Sequence, residues 1–365
     1  EEVTITSTTN AGYTWVGWYD GDSKVSEELT YTFIMSTEIK TYTAKFEKCT
    51  EHTPDDNCVC TKCGAVDIIA VGKALKSKAY IRHNNDIYFG SYPQTKVTDN
   101  NITTALNNMA GKMPTSSNSA NWTAYYYYTD GSQRDFMWYI DKEYNGEKYR
   151  GVYFTEYRPH SRSYSGAKYS EQDDNGYYTG VIYWFKYEPI KWSILSEENG
   201  KALLLAGIAL DSYQYNINNY SGYKTKNGRN VYANDYVESD IRRFINHSFY
   251  SRAFNDLQKA LIKTFEIQFT GIKINDNVFL LERSDIMRYF DEKALRQKKS
   301  TDYAKSQGCR TSTDSSYKGN CSWWLRTANS YPGTSNTITV GGIYSTYDVN
   351  NTTYGVVPAL WISLS

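Results

Sequence analysis

The sequence predicts an α+β protein in which a small β module precedes one large domain. Residues 1–47 alternate apolar and polar side chains in short runs, the pattern of half-buried strands. Residues 80–365 start with strand-like segments, continue into two short segments with helical apolar spacing and return to strand-like segments. This order favours an α+β fold, and 365 residues suffice for one large domain and one small one.

The charge balance narrows the choice of partners. Lys and Arg number 40 and Asp and Glu also number 40, so the zero net charge creates no field that would attract nucleic acid or an acidic membrane. The basic run at residues 296–299 follows acidic residues and is typical of a charged helix end. No apolar run approaches the roughly 20 residues needed to span a bilayer. We therefore expect no nucleic-acid partner and no membrane span.

Tyrosine is over-represented, with 36 residues beside 9 tryptophans. A tyrosine combines a flat contact area, a hydrogen-bonding tip and few rotatable bonds, which suits recognition surfaces. Aromatic side chains also suit half-buried strands, and part of the tyrosine content has this explanation. The excess favours a binding protein.

The first element, residues 1–47, is expected to be a small β module. Its strand-like runs are residues 3–6, 30–34 and 42–46. Turn-forming residues at 10–12 and 20–22 separate them. The motifs GYTW and GWY and a closing TAKFE resemble the Listeria-Bacteroides repeat, the B-repeat type of internalin-like surface proteins. The resemblance implies a β-grasp-like stalk repeat and an extracellular or cell-surface location.

Cysteines are concentrated in the next segment, residues 48–70. Cys60 and Cys63, separated by two residues and followed by glycine, form a knuckle whose thiolates can face one ion. Cys49 and His52, also separated by two residues, can supply the other two ligands of a tetrahedral zinc site. A closed site of this kind has no open position for a substrate, so its role would be structural.

Cys58 is a fifth candidate in the same segment, one more than a tetrahedral site needs. A pair of disulfides in an oxidising compartment is therefore the alternative to zinc. The segment resembles the small Cys/His zinc-ribbon-like inserts of surface proteins from Gram-positive gut bacteria, and this resemblance implies structural zinc.

After a short basic, weakly helical linker at residues 71–79, the sequence keeps one character to its end, and residues 80–365 are expected to form one domain. DIYFGSYPQT, YWFKYEPIKWSIL and GKALLLAG are strand-like, and VVPALWISL is typical of a buried strand. Ser239 or Asp240 is placed to cap the first of two helices. The apolar positions at helical spacing are Ile241, Phe244, Ile245 and Phe249, then Leu257 and Leu261.

A long insert, residues 115–182, interrupts this domain. It lacks strong periodicity, but its aromatic residues are dense enough to pack. We expect the insert to be ordered and to lie over the domain.

The motifs of residues 80–365 carry a second resemblance. YFGSYPQTKVTD, YVESDIRRFINHSFYSRAF, NVFLLERSDIMRYF, CSWWLRT and YGVVPALWISL resemble, in this order, an uncharacterised domain of secreted proteins from gut Gram-positives and spirochaetes. That domain is similar to C-type-lectin-fold proteins, which include formylglycine-generating enzymes and the variable proteins of diversity-generating retroelements. The resemblance implies that WWLR is scaffold and that the loops before the final strand bind ligand.

The segment CSWWLRT combines a core with the start of a surface. Trp323, Trp324 and Leu325 are too apolar for solvent, and each buried aromatic contributes about 1.5 to 3 kcal/mol, so we expect them in the core with acceptors for the indole nitrogens. Arg326 is expected to pair with an acidic group beneath the loops. The following Asn, Ser, Thr, Tyr and Gly are typical of a binding surface. The expected ligand contacts are Tyr331, Tyr344, Tyr347, Asn350, Asn351 and Tyr354.

These observations predict a cell-surface or secreted recognition protein whose partner is a protein or a glycan on another cell or on a host surface. Retroelement diversification randomises adenines and converts Asn codons into codons for Tyr, Ser, Thr and Asp, which makes diversified loops a further hypothesis. Ordinary polar loop composition explains the same residues. A purely structural surface protein is another alternative.

An enzyme on the same fold is the strongest rival. Formylglycine-generating chemistry in the similar family depends on a closely spaced cysteine pair near the C-terminus. Cys309 and Cys321 are instead separated by eleven residues and suit a structural disulfide or two buried thiols. The four histidines lie in dissimilar contexts, and the sequence has no nucleophile elbow, phosphate loop or His-Glu-x-x-His motif. We therefore expect no enzymatic activity.

Overall fold

The computed structural model divides the chain into two compact units, Glu1–His83 and Asn84–Ser365. The residues that it describes are 1–115, 118–125, 137–155, 176–269 and 271–364. Much of the predicted insert lies outside these residues, so the expectation that it is ordered stays a prediction. Among the described helices, none combines the length and the apolar character needed to cross a bilayer.

The first unit is built mainly from strands. Its elements are β1 (Glu2–Thr6), β2 (Tyr13–Asp20), β3 (Ser23–Ser26), β4 (Thr30–Ile34), β5 (Tyr42–Lys48), α1 (Ile68–Ala74) and β6 (Ile81–His83). β1 pairs antiparallel with β4, and β2 lies between β3 and β5. The three runs of alternating residues coincide with β1, β4 and β5, which confirms the predicted strands. Gly12 and Gly21, both at positive φ, lie in the turns before and after β2.

Helix α1 begins where a side chain satisfies its first amides. Asp67 accepts hydrogen bonds from the backbone N–H groups of Ile69 and Ala70, at 2.9 and 3.1 Å. Such a cap replaces the partners that the first turn of a helix lacks. The helix therefore occupies part of the segment that the sequence presents as a linker.

The second unit contains the remaining elements in an α+β order. Its strands are β7 (Asp86–Lys96), β8 (Thr123–Ala124), β9 (Met137–Tyr144), β10 (Glu147–Phe154), β11 (Ile182–Glu198), β12 (Lys201–Ala206), β13 (Asp211–Ser212), β14 (Tyr223–Lys226), β15 (Arg229–Tyr232), β16 (Ile262–Lys263), β17 (Phe265–Phe269), β18 (Ile272–Asp276), β19 (Lys298–Lys299), β20 (Asn320–Cys321), β21 (Trp323–Ala328), β22 (Thr334–Ile338), β23 (Tyr344–Asp348), β24 (Gly355–Val356) and β25 (Ala359–Ser363). The three strand-like segments before the helices coincide with β7, β11 and β12, as predicted.

The helices of this unit are short. They are α2 (Asn100–Ala110), α3 (Asp240–Phe244), α4 (Tyr250–Ala253), α5 (Asp256–Leu261), α6 (Arg283–Tyr289) and α7 (Asp302–Ser306). A π-helical turn, Ile245–Phe249, joins α3 to α4, and a 3-10 turn, Lys293–Arg296, follows α6.

Two antiparallel-rich sheets organise the second unit. In the larger sheet the order is β16-β25-β12-β11-β10-β9-β8, and β7 also pairs with β11. In the smaller sheet the order is β13-β24-β21-β22-β23, with one parallel pair between β21 and β24. The smaller sheet therefore ends at β23, which leaves the hairpin of β22 and β23 at its edge.

The helix predictions are confirmed for α3 and partly wrong for α5. Ser239 caps α3 by accepting from the backbone N–H of Arg242 at 3.2 Å, and the four apolar positions from Ile241 to Phe249 are buried. Leu257 is instead 49% exposed, while its polar neighbour Gln258 is buried. Gln258 and Asn255 form a capping box, so the rotation of this short helix follows its cap rather than its leucines.

Candidate ligand surface and metal centre

Strand β21 forms the floor of the candidate ligand surface. Trp323, Trp324 and Leu325 are fully buried. The indole nitrogen of Trp323 donates to the carbonyl oxygen of Arg296 at 3.1 Å, and that of Trp324 donates to the carbonyl oxygen of Tyr213 at 2.9 Å. The prediction of a core segment with satisfied indoles is confirmed, and the strand provides a rigid support for the loop that leaves its C-terminal end.

Arg326 ends the apolar part of this strand and is held inside the protein. Its guanidinium donates to Asp285 Oδ2 at 2.9 Å and to the carbonyl oxygen of Leu280 at 2.6 Å. A second carboxylate, that of Glu282, lies 3.3 Å away. The predicted pairing with an acidic group is confirmed, and this guanidinium is committed to the protein rather than to a ligand.

A cleft with a mixed polar and apolar lining opens beside the loop after β21. Its volume is about 670 Å³, and hairpin β14–β15, the loop after β21 and the end of β17 surround it. The side chains that give it its chemistry are Arg229, Asn230, Tyr232, Asn329, Ser330 and Pro332. Arg229 is itself paired with Asp235, another lining residue. The cleft thus offers amides, a hydroxyl and aromatic surface at a size typical of small-molecule sites.

Asn234 holds the loop that borders the cleft. Its Nδ2 donates to the carbonyl oxygens of Asn329, Tyr331 and Thr334 at 2.8, 3.1 and 2.9 Å. The side chain is buried, so these three bonds are made away from water. Three carbonyls that converge on one amide fix the loop's path. Sequence reasoning missed Asn234 because nothing in its neighbours indicates a contact almost one hundred residues away.

The structure brings Tyr331 and Tyr347 to the same end of the β22–β23 hairpin. Tyr331 is 60% exposed in the loop before β22, and Tyr347 is 47% exposed opposite Ser335 near the start of that strand. Asn350 is exposed in the turn after β23. These three predicted contacts are accessible, and Tyr331 is next to two residues that line the cleft.

Asn351 and Tyr354 occupy supporting positions instead. The side chain of Asn351 accepts from the backbone N–H and the hydroxyl of Thr353, both at 2.8 Å, which closes the turn. Tyr354 is 7% exposed, with its ring centroid 4.8 Å from that of Trp324 and 5.0 Å from that of Tyr347. A buried ring of this kind supports Tyr347 from below, so Tyr354 does not fit the expected role of a ligand contact.

Tyr344 lies at the opposite end of the hairpin from Tyr331. It pairs with Ile338, whereas Tyr347 pairs with Ser335, so roughly 10 Å of strand separates the two tyrosines. The ring of Tyr344 is half-buried and contacts two arginines, Arg283 and Arg296. The predicted contacts therefore form two groups rather than one face.

Four residues of the first unit converge as a candidate metal centre. One ligand atom from each of Cys49, His52, Cys60 and Cys63 lies within 4.8 Å of all the others. Four such atoms around a tetrahedral ion about 2.1 to 2.3 Å from each would be spaced in this way. Cys58, the fifth candidate, is buried but outside the cluster. The cluster can hold a metal ion with the donors predicted from sequence.

Backbone geometry prepares the knuckle for a thiolate. Gly64 adopts a positive φ of 66° and donates its N–H to the carbonyl oxygen of Cys60 at 2.8 Å. Thr53 donates its backbone N–H to the Cys60 sulfur at 3.4 Å. Burial of Cys60 opposes ionisation, but backbone N–H donors such as that of Thr53 outweigh it and lower the pKa of this thiol to about 6. A thiolate is the form that binds metal.

The second unit brings Cys309 and Cys321 together in its core. Both are fully buried, and the two thiols are hydrogen-bonded, which together with burial raises the pKa of Cys321 well above its usual value. A Cβ added at Gly355 would lie 3.0 and 3.5 Å from the two sulfurs, so this packing needs glycine. In the structure both are free thiols, the second of the two possibilities that the sequence left open.

A cluster of charges is buried within the larger sheet. Arg150 is fully buried and makes a bidentate pair with Asp141, at 2.8 and 2.9 Å. Tyr187 also donates to Asp141, at 3.0 Å. The guanidinium carbons of Arg150 and Arg252 lie 4.4 and 4.5 Å from the ring centroid of Tyr139. These partners belong to the unit itself, so we assign the cluster a structural role.

Asp211 is the other buried carboxylate of this region. It accepts from the hydroxyl of Tyr92 at 2.7 Å and from the backbone N–H of Ser212 at 2.7 Å. Burial nevertheless dominates and raises the pKa of Asp211 to about 6. The carboxylate is therefore sensitive to pH in a range where most aspartates are already ionised.

Comparison with known families identifies two parts of the chain. Residues 1–50 match the model of the divergent InlB B-repeat domain, as the GYTW and TAKFE motifs predict. Residues 199–364 match the model of a domain of unknown function, DUF6273. No curated protein and no solved structure matches the chain. The N-terminal resemblance is thus confirmed, whereas the C-type-lectin resemblance finds no support among these matches.

Proposed function

We propose that the protein is a secreted or cell-surface recognition protein whose second unit binds a polar ligand, in the first place a glycan, in the cleft beside Asn329 and Ser330. The observation that carries this proposal is the cleft itself, about 670 Å³ in volume and bordered by a loop that Asn234 fixes through three hydrogen bonds. Preorganised polar groups on a rigid support reduce the entropy lost on binding.

The chemistry of the lining favours a ligand rich in hydroxyl groups. Asn230, Asn329 and Ser330 can each donate and accept hydrogen bonds, which suits hydroxyls that do both. Tyr232 is 38% exposed and adds an aromatic face. A glycan fits this mixture of amides, a hydroxyl and aromatic surface, and a polar loop of another protein is the second ligand class to be tested.

The fold and location belong to the same proposal. A C-type-lectin-like head is supported by the order of the sequence motifs and by the buried floor at Trp323 and Trp324, beyond which loops carry polar side chains. The divergent InlB B-repeat match at residues 1–50 supports a surface location with a stalk. The Tyr, Asn and Ser content of residues 327–355 is what retroelement diversification would leave, and a near-identical template repeat beside the gene is its test.

The decisive experiment is a binding screen of the full chain against glycan arrays and surface proteins. We expect a glycan hit that Tyr232→Ala and Ser330→Ala weaken roughly tenfold, since each removes a contact in the cleft. Tyr178→Ala is the matched control, because Tyr178 is 53% exposed in the same unit and outside the cleft lining. A hit that all three variants weaken equally would contradict a site in the cleft. Binding to neither library would favour a purely structural surface protein.

We also propose that the ion at Cys49, His52, Cys60 and Cys63 is zinc. Three thiolates and an imidazole are a donor set that zinc prefers, and the four closed positions suit a structural role. Elemental analysis of the purified chain should find about one zinc per molecule. Cys60→Ser should lose it and Cys58→Ser should keep it, since only the former is a member of the cluster. Zinc retained in Cys60→Ser would contradict this ligand set.

A further inference from the structure

Two arginines converge on one tyrosine at the far end of the β22–β23 hairpin. The guanidinium carbon of Arg283 lies 5.0 Å from the ring centroid of Tyr344, and that of Arg296 lies 5.1 Å from it. These contacts are cation–π interactions, which bring two positive charges to within about 10 Å of each other. Two positive charges at this spacing repel each other, and a nearby anion offsets the repulsion.

Neither guanidinium is neutralised by a carboxylate of the described residues. Arg296 donates Nε and Nη2 to the carbonyl oxygen of Phe290, at 3.2 and 2.8 Å, which leaves its other donors available. Arg283 is exposed. Throughout the described part of the chain, no carboxylate forms an ion pair with either arginine. The acids closest in sequence to Arg283, Glu282 and Asp285, already pair with Arg326.

The geometry of this group is fixed by the core. The carbonyl oxygen of Arg296 accepts the indole N–H of the buried Trp323, so the 3-10 turn is tied to the floor strand. Gly342 packs directly on that turn, since an added Cβ would lie 2.0 Å from the carbonyl oxygen of Lys293. The hydroxyl of Tyr344 is buried and has no hydrogen-bond partner among the described residues, so the packing around the ring imposes its position.

We propose that Arg283, Arg296 and Tyr344 form a site for an oxyanion, namely a carboxylate or sulfate group carried on a sugar. Guanidinium groups match the oxygens of both anions through parallel hydrogen bonds, and a planar aromatic ring beside them provides a face for the carrier. The inference deepens the proposed function and rests on it for one point, that the anion is carried on a sugar. The site for the anion is separate from the cleft and is independent of binding there.

The anion site lies away from the other predicted contacts. Tyr344 and Tyr347 lie roughly 10 Å apart along β23, and because they are three positions apart their side chains point to opposite faces of the sheet. Tyr347 is at the end of the hairpin that carries Tyr331 and the loop beside the cleft. Binding of an anion at Tyr344 is therefore tested separately from binding in the cleft.

The first test uses inorganic sulfate and the full chain. Sulfate should bind in an NMR or calorimetric titration at constant ionic strength, and Arg283→Gln should weaken it roughly tenfold, the loss expected for a charge-assisted hydrogen bond. Arg288→Gln is the matched control, because this exposed arginine lies on the same helix but roughly 140° around its axis. No sulfate binding, or an equal loss in both variants, overturns the proposal.

A second variant and a second set of probes complete the test. Arg296→Gln should weaken sulfate binding as well, and thermal melting should show that this variant folds. If Arg296→Gln does not fold, Arg283→Gln alone tests the proposal. Sialic acid and a sulfated monosaccharide should bind more tightly than their neutral parents, and the better of the two identifies the source of the anion. Equal affinity for the neutral parents overturns the site even if the cleft binds glycans. Binding of anions with no glycan hit in the cleft contradicts only the proposed function.

Discussion

The two units of the molecule differ in the interactions that are expected to stabilise them. In the first unit, the buried apolar side chains are few, among them Trp18, Val71 and Leu75, and four side chains that could bind a metal ion meet at one point. In the second unit, Trp184, Trp192, Trp323 and Trp324 are all fully buried. A short segment cannot bury enough surface to outweigh its conformational entropy and needs a staple, whereas a long one can build a core.

This difference also separates the chemistry available to each unit. The donors of the first unit all point at one another, so the proposed ion holds the chain and leaves no open position. In the second unit the core holds the loops, and polar groups such as Asn329 and Ser330 face an open cleft. We therefore expect ligand binding in the second unit, where the core stabilises the fold and polar side chains face the cleft, and not in the first unit.

Removal of the metal should have the largest effect, and this effect should fall on the first unit. A structural zinc site supplies roughly 10 to 16 kcal/mol of apparent binding free energy, so chelation or Cys60→Ser should unfold residues 48–66 rather than loosen them. Hydrogen exchange should show the loss there and unchanged protection in β21. Cys58→Ser is the control. Unchanged exchange around the cluster after complete chelation would mean that the first unit does not depend on an ion.

Trp324→Ala should have the next largest effect, and this effect should fall on the second unit. Truncation of a fully buried tryptophan leaves a cavity and should lower the free energy of unfolding of the second unit by about 3 to 5 kcal/mol. Chemical denaturation measures this loss, and the exchange of the first unit should stay the same. Tyr331→Ala, a 60% exposed position, should change stability by no more than about 0.5 kcal/mol. Similar losses in both variants would disprove the assignment of floor and surface.

The buried carboxylate of Asp211 should make the second unit sensitive to pH. Its pKa is about 6 in the folded chain and about 4 when unfolded, so between these values the folded state binds more protons. Stability should therefore be greatest below pH 4 and fall by about 2 kcal/mol as the pH rises from 4 to 6, before other groups are counted. Asp211→Asn should lack this contribution. Parallel stability curves for the variant and the natural chain would rule it out.

The smallest expected change concerns the loop beside the cleft. Asn234→Ala removes the three hydrogen bonds that the Asn234 amide donates to carbonyl oxygens, which should cost about 1 to 3 kcal/mol and reduce ligand binding by releasing the loop. Asn230→Ala is the matched control, since Asn230 lines the cleft but makes none of these bonds. The control should lose affinity without losing stability. Affinity that survives in Asn234→Ala would show that the loop is preorganised by something else.

Sequence reasoning predicted the parts of the fold that depend on local patterns. The strands of the first unit follow from alternation, β7, β11 and β12 from apolar runs, and the cap at Ser239 from its place before Ile241. It failed at Leu257, where a capping box decided which side of the helix is buried. It also did not show that Tyr354 is buried and Tyr347 exposed, because two tyrosines close in sequence are alike until the fold places one beneath the other.

The four donors of the candidate metal centre, the buried floor at Trp323 and Trp324 and the polar composition of the loops beyond it could be predicted from the sequence, because each is a matter of residue type and short spacing. The position of Asn234 against a loop almost one hundred residues away and the contact of Arg283 and Arg296 with Tyr344 appear only in the folded chain. Those pairings depend on how distant strands pack, and no local pattern encodes the distance between side chains that are far apart in the chain.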